Sequence, residues 1–388
     1  MTTLQNFDFD ALGRTLKQRG LDGWLVYDFH DSNPVAQRML GDTGMLTRRL
    51  FLWLPAVGPA QLVVSTIDRP AVGDFPGEFV TYTTWQELHQ HLASVVGGRR
   101  VAMETSPENA VPYLDKVPSG VVELLKRLGA TVLPSAPLVT EFASRWSQAE
   151  LQDHRRTAEA IAEIARGTLR LAIQHVGTAT EVAVQRSVLE QLAGAGLETD
   201  DPPIVAFGPH AADPHYSPHE STNRTLAADE VVLLDLWARP SPKTVWADQT
   251  WMAFTGSPPG DVVTVWETVR NARDAVVDRL RKGPRSGEKL TGAMLDNVSR
   301  EVINAAGYGH AFTHRTGHSI DLDLHGSGPH LDDFETHDVR ELFEGVAFSV
   351  EPGIYLPGRF GVRSEINVVL GANGPEVTPA EPQTELIV

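Results

Sequence analysis

Four histidines, His310, His314, His318 and His325, lie in the short stretch Gly309–His325, with His314 and His318 four residues apart around Thr316-Gly317. Imidazole is a common metal ligand and the side chain most easily poised for proton transfer near neutral pH. The stretch can therefore be a metal site, an acid–base site or a histidine-rich polar loop. It is not a zincin helix, because Arg315 stands where that motif needs Glu and Gly317 interrupts helical periodicity. The choice among the three turns on whether carboxylates elsewhere converge on it.

Four carboxylates stand where strands should be apolar. Asp235 closes Val231-Val232-Leu233-Leu234, and Glu351 closes Val346-Ala347-Phe348-Ser349-Val350 ahead of Pro352-Gly353. Asp248 lies inside Val245–Phe254, on the face that carries Trp246, Thr250 and Met252. Glu365 shares the odd face of Gly361–Leu370 with Arg363 and Asn367. An ionised carboxylate on a buried strand is costly unless paired or metal-bound, and Asp is disfavoured in strands. Singly, each has a plainer reading: Asp235 can open the turn at Ala238–Pro242, and Glu365 can face solvent. Together, two Asp, two Glu and one His are a donor set suited to a pair of divalent cations. Mostly oxygen donors with one imidazole favour manganese or cobalt, with zinc or iron as alternatives.

A hairpin turning at Pro240–Lys243 would bring Asp248 beside Asp235. The rest of the chain must supply the frame. Apolar spacing predicts a helix over 8–19, strands at 21–27, 49–54 and 60–64, a helix over 84–96, a strand at 100–103, a helix over 119–128 and a strand at 130–133. This alternation is that of an α/β domain. Asp28 and Asp31-Ser32-Asn33 read there as a turn. A boundary within Pro137–Ser147 gives domains of 1–143 and 144–388. Ser147-Gln148-Ala149-Glu150 has capping-box spacing ahead of a long helix. A second helix from about Thr178 to Gly194 and strands at 204–207, 231–235 and 245–254 follow. After Gly256–Gly260 the order recurs, with helices over 261–282 and 289–305 and strands at 346–351 and 361–370. Two helices followed by antiparallel strands, twice, indicate an internal duplication of architecture with the cleft between the halves. Gly326–Gly345 is a long, polar, acidic loop.

Composition narrows the function. The 388 residues suffice for two cored domains, and no apolar run reaches membrane-spanning length. With no cysteine, neither disulfides nor thiolate ligands are available, so any metal rests on His, Asp and Glu. A formal charge of −17 argues against nucleic-acid or anionic-membrane partners. Met1–Asp10 has neither a basic start nor an apolar core of a secretory leader, so a cytoplasmic location is the expectation.

Several of these stretches carry a family resemblance. His314-x-x-Gly317-His318 with Leu322-Asp323-Leu324-His325 behind it, Val350-Glu351-Pro352-Gly353-Ile354-Tyr355 and Val362-Arg363-x-Glu365 resemble the pita-bread metallopeptidases, the group of prolidase, aminopeptidase P and methionine aminopeptidase. Leu233-Leu234-Asp235 and Asp248-Gln249-Thr250-Trp251 are similar to the group's aspartate pair, and Pro214-His215-Tyr216 to its upstream histidine motif. The likeness covers about 145–388, and the arrangement before it resembles the N-terminal domain of prolidases and creatinase. The chain departs from the pattern in a longer Asp235–Asp248 gap, in Ser319-Ile320-Asp321 where Gly-x-Gly is usual, and in the length of the Gly326–Gly345 loop.

The resemblance implies an α/β N-terminal domain plus an α+β pita-bread catalytic domain with a pseudo-two-fold duplication. It implies two divalent ions, manganese first, held by Asp235, Asp248, His318, Glu351 and Glu365, with Glu351 also the general base. His215, His314 and His325 would contact substrate or stabilise the tetrahedral intermediate, and Arg363 would stand behind the ligands or meet a substrate carboxylate. The implied partner is a short proline-containing peptide cleaved at Xaa-Pro by a homodimer. A dipeptidase is favoured over an aminopeptidase P, with Arg340, Arg359 and Arg363 as candidate cations for the free carboxylate and the long loop able to close over a short substrate. A metal-free creatinase-like hydrolase and a non-catalytic binding protein are the readings from other classes. Neither needs all five ligands.

Overall fold

The computed structural model describes residues 4–41, 43–283 and 288–388. The first three residues of the stretch read for a leader lie outside them. The chain divides into two compact units, Met1–Ser147 and Gln148–Val388.

In the first unit, α1 (Phe9–Gln18), β1 (Gly23–Asp28), α2 (Pro34–Leu40), β2 (Leu50–Pro55), β3 (Gln61–Ser65), β4 (Glu78–Tyr82), α3 (Trp85–Val96), β5 (Arg100–Met103), α4 (Ser119–Arg127), β6 (Thr131–Pro134) and the short α5 (Ala136–Leu138) build a mixed six-stranded sheet of order β4-β3-β2-β1-β5-β6. Alternation along β1 divides the core. Trp24 and Val26 pack with Leu12, Leu16, Val35 and Met39 on one face, while Leu25 and Tyr27 pack with Leu88, Leu92 and Leu125 on the other. Asp28 receives the backbone N–H groups of Asp31 and Asn33, and Asn33 caps α2 at Val35.

Glu104 is fully buried beside this turn and accepts from Trp24 Nε1 at 2.6 Å, Ser135 Oγ at 3.0 Å and Asn33 Nδ2 at 3.1 Å. Burial pushes its carboxyl up to about 7 against those three hydrogen bonds. A folded value above the unfolded one means the stabilisation is present below the ordinary glutamate range and is lost as pH rises toward about 7. Melting of the full chain should therefore weaken between pH 5 and 8, and Glu104→Gln should flatten that slope. An unchanged slope in the variant would assign the pH dependence to other groups.

The second unit contains α6 (Gln148–Gln174), α7 (Glu181–Gly194), β7 (Ile204–Phe207), β8 (Val231–Ala238), β9 (Ala247–Phe254), α8 (Gly260–Arg281), α9 (Gly292–Ala305), β10 (Ala347–Val350), β11 (Gly353–Leu356), β12 (Phe360–Arg363), β13 (Ile366–Gly371) and β14 (Gly374–Thr378). Two antiparallel three-stranded sheets, β7-β8-β9 and β10-β13-β14, each follow a helix pair, and β11-β12 forms a separate hairpin. The duplicated order of helices and strands is present at the level of architecture. In β8 the even positions Val232, Leu234 and Leu236 pack on α6 and α7, while Val231 and Leu233 pack on α8. The α8-facing side thus changes from apolar to acidic at Asp235.

The segment expected as one strand over 361–370 is two. Arg363 pairs with Gly353 in the β11–β12 hairpin, whereas Ile366 onward pairs with β10 and β14, leaving Ser364-Glu365 at the crossing. The long loop is also different from an open flap. Ser327, His330, Leu331, Asp332, Asp338 and Arg340 are buried, and Leu331 bridges Gly317. Its arginine is held within the loop: Arg340 binds Asp338 at 2.6 Å and the carbonyls of Ser327 and Gly328.

Candidate metal centre

Register brings the carboxylates together. Pairing of β8 with β9 sets Asp235 opposite Thr250 and Asp248 opposite Trp237, so Asp235 and Asp248 are diagonal neighbours on one face. Asn367 of β13 locks Asp248 from the other sheet, accepting from its N–H at 2.9 Å and donating to its carbonyl at 2.7 Å. Thr250 Oγ1 lies 3.0 Å from Asp235 Oδ1 and 2.9 Å from Glu365 Oε2, and accepts from Arg363 Nε at 2.9 Å. A hydroxyl has one proton, so it can serve only one of the two carboxylates.

His318 arrives through Gly317, where an added Cβ would sit 2.0 Å from the Ser349 carbonyl oxygen, so only glycine allows the approach. Its N–H donates to Ser349 Oγ at 2.9 Å, its carbonyl accepts from Ser349 N at 2.8 Å, and Ser349 Oγ donates to Glu351 Oε1 at 3.0 Å. His318 Nδ1 faces the Ser319 carbonyl at 3.1 Å, and a carbonyl only accepts. Nδ1 therefore donates, and Nε2 faces Asp248 Oδ2 and Glu351 Oε1, each at 3.4 Å. Nε2 and the two carboxylates converge as the donors of a shared divalent cation would.

The remaining electrostatics agree. Burial pushes Asp235 up to about 7 despite Arg363, and raises Asp248 despite His318. Burial, then Asp248, Glu351 and Asp235, push Glu365 well above the carboxylate range. Asp248 Oδ1 and Glu365 Oε1 are buried without a hydrogen-bond partner, a costly condition for isolated acceptors. One oxygen or nitrogen from each of Asp248, His318 and Glu365 fits within a 4.8 Å span. Divalent cations satisfy this donor set, and the orphaned oxygens with the imidazole nitrogen among them are the donors such ions would take up.

Glu351 differs from the other carboxylates. Burial raises it, but His318, His314, Arg363 and Arg315 together outweigh burial and hold it below its ordinary value. His314 donates from Nδ1 to the Arg315 carbonyl at 2.7 Å and accepts at Nε2 from the Tyr355 hydroxyl at 2.8 Å. Burial depresses it to about 4. His325 packs against His318 with ring centroids 4.2 Å apart and the planes tilted by 57°. The His318 ring, then desolvation, Arg315 and His215, depress it to about 2, so it is neutral. His215 is exposed after the turn at Asp213, and His310 is a helical-turn residue near the end of α9. Arg363 is 4% exposed, pairs with Asp235, and also donates to Thr250, Tyr355 and the Pro214 carbonyl. Little remains for a substrate carboxylate. Arg340 is bound to Asp338, and Arg359 to Asp261.

Sequence reasoning assigned no role to Thr250, Tyr355, Ser349 or Arg315. Thr250 and Ser349 are interior polar residues of apolar strands, which was their only signal. Arg315 carried none beyond standing between His314 and His318, yet its charge is felt at Glu351, His325 and His330.

Comparison with known proteins supplies the affiliation. The model of metallopeptidase family M24 matches residues 153–372, more than half the chain. The chain belongs to this family. This M24 metallopeptidase is 28% identical over 321 residues to "Probable dipeptidase PepE" of Mycobacterium tuberculosis, spanning 82% of this chain and 79% of the relative. It is 36% identical over 184 residues to an Xaa-Pro dipeptidase of Lactobacillus delbrueckii subsp. lactis, spanning 46% of this chain and 44% of the relative. The crystal structure of dipeptidase PepE from Mycobacterium ulcerans aligns with a TM-score of 0.79 at 26% identity, covering 98% of this chain and 96% of that one. The M24 enzyme thus has the two-part α/β and α+β pita-bread architecture of its structural relatives. Among its described residues no helix is long and apolar enough to cross a membrane.

Proposed function

We propose that this M24 metallopeptidase is a dinuclear, manganese-preferring dipeptidase that hydrolyses the Xaa-Pro bond. The observation that carries the reading is His318 Nε2 facing Asp248 and Glu351, each at 3.4 Å, where Asp235 and Glu365 add two further carboxylates. Asp235, Asp248, His318, Glu351 and Glu365 would hold the ions. When bound, a pair of divalent ions supplies Lewis acidity toward the scissile carbonyl and toward water.

The protein's own groups then divide the remaining work. Glu351, held ionised, accepts the proton of the attacking water and returns it to the leaving proline nitrogen. His325, neutral and packed against His318, offers a hydrogen bond toward the developing oxyanion without adding charge. His314 holds Tyr355 in place, and Tyr355 with Arg363 fixes Asp235 from behind. His215 contacts substrate at the exposed edge of the site. We assign residues 1–143 as a creatinase-like N-terminal domain and 144–388 as the catalytic domain of a cytoplasmic homodimer.

The preference for a dipeptide is supported by the names borne by its relatives, PepE and Xaa-Pro dipeptidase. A second reading, aminopeptidase P, gains from the structure because Arg340, Arg359 and Arg363 are committed to Asp338, Asp261 and Asp235. Initial rates with manganese on Xaa-Pro and Xaa-Pro-Xaa peptides decide between them. Faster cleavage of the dipeptide is expected, and a clear tripeptide preference reverses the assignment.

A further inference from the structure

Asp296 lies on the inner face of α9, fully buried, and its carboxylate serves three separate segments. Oδ1 accepts from the Thr316 N–H at 2.9 Å and the Thr316 hydroxyl at 2.6 Å. Oδ2 accepts from Arg300 Nε at 2.6 Å, one helical turn on, and from the N–H of Asp333 at 2.9 Å in the long loop. Arg300 in turn donates to the carbonyls of His314 and Phe312, with its guanidinium over the rings of Phe312 and Phe334 at 4.3 and 4.2 Å. The pair therefore grips both ends of His314–Thr316.

Thr316 passes this hold to the site. Its carbonyl accepts the Glu351 N–H at 2.7 Å, and the next residues are Gly317, fixed by Leu331, and His318. We infer that Asp296, seconded by Arg300, is a positioning residue of the reaction, setting Thr316 and through it the Glu351 backbone and the His318 ring. The inference rests on the reading of His318 and Glu351 as metal-facing groups. Asparagine cannot replace this carboxylate. An amide keeps one acceptor oxygen and turns the other corner into a donor, which would face Thr316 or the N–H groups of Arg300 and Asp333. A displacement of about 1 Å at a reacting group is enough to cost on the order of 100-fold in rate.

The test is a manganese(II) titration of the full-length metal-stripped chain by calorimetry, with kcat, KM and melting temperature measured alongside. Asp296→Asn and Thr316→Val should each weaken manganese affinity by about tenfold or more and lower kcat with KM little changed. Thr316→Ser, which keeps both donors, should recover most of the loss. If Asp296→Asn does not fold, Thr316→Val decides alone, since it removes one hydroxyl from a residue of nearly the same shape. Folded variants with native manganese affinity and kcat would overturn the inference, as would a loss confined to melting temperature. The titration does not depend on the peptide cleaved. A wild-type chain that binds manganese but leaves Xaa-Pro dipeptides intact would contradict the substrate assignment, and the titration would still decide the role of Asp296.

Discussion

Glu351→Gln is expected to lower kcat on an Xaa-Pro dipeptide by roughly two to four orders of magnitude while far-ultraviolet dichroism and cooperative melting stay native-like. The substitution keeps side-chain volume, and the Ser349 hydroxyl can still donate to the amide oxygen as it does to Glu351 Oε1 at 3.0 Å. What disappears is a carboxylate held below its ordinary value against burial, with Arg363 and Arg315 beside it as permanent charges. An amide cannot accept a proton from water near neutral pH, nor return one to the proline nitrogen. Manganese affinity should fall as well, because Glu351 Oε1 faces His318 Nε2 at 3.4 Å. Measuring turnover at saturating manganese separates the two losses. Activity within a few fold of wild type under that condition would remove Glu351 from the proton transfer.

The site was legible because burial makes polar residues conspicuous in strands. Asp235 and Glu351 end apolar runs, and Asp248 interrupts one, so each breaks a pattern that hydrophobic burial otherwise imposes. Their convergence could be anticipated from one hairpin, and the structure supplies it through the Asp235–Thr250 register. Features fixed by partners distant in sequence left no such trace. The break at Ser364-Glu365 is invisible in the alternation, because Val362, Ile366 and Val368 keep the same period on both sides. Only pairing with Gly353 in one hairpin and with Val350 and Thr378 in the other sheet divides it.

Strand β4 was missed because its first four residues are not fully buried and carry little alternation, and α2 because Asn33-Pro34 opens a helix as readily as a turn. The Gly326–Gly345 loop reads from its sequence as long, polar and acidic. Its polar residues are buried because the ion pair Asp338–Arg340 and the Asp296 carboxylate give them partners that sequence spacing does not reveal. The same cause hid the fate of Arg363. An arginine on the odd face of a strand can meet substrate or a neighbouring carboxylate, and here it pairs with Asp235 of β8, in a different sheet.

Withdrawal of metal should have the other large effect: dialysis against a chelator is expected to abolish peptidase activity, and manganese to restore it. Asp235, Asp248 and Glu365 are buried with Glu351 close to them, Arg363 pairs with one of them, Asp235, and Asp248 Oδ1 and Glu365 Oε1 have no hydrogen-bond partner. Mutual repulsion among these carboxylates, relieved only by protonation in the stripped chain, should lower its stability. An ion bound by the folded chain and not by the unfolded one raises stability by about 2.7 kcal/mol at one hundred times its dissociation constant. The melting temperature should therefore rise with manganese concentration and reach a plateau, in step with recovered turnover. Asp248→Asn should blunt both responses together, because Asp248 belongs to the trio that fits one ion with His318 and Glu365. Activity that survives exhaustive chelation, with a melting temperature indifferent to manganese, would contradict a metal-dependent mechanism and return the site to the metal-free hydrolase reading.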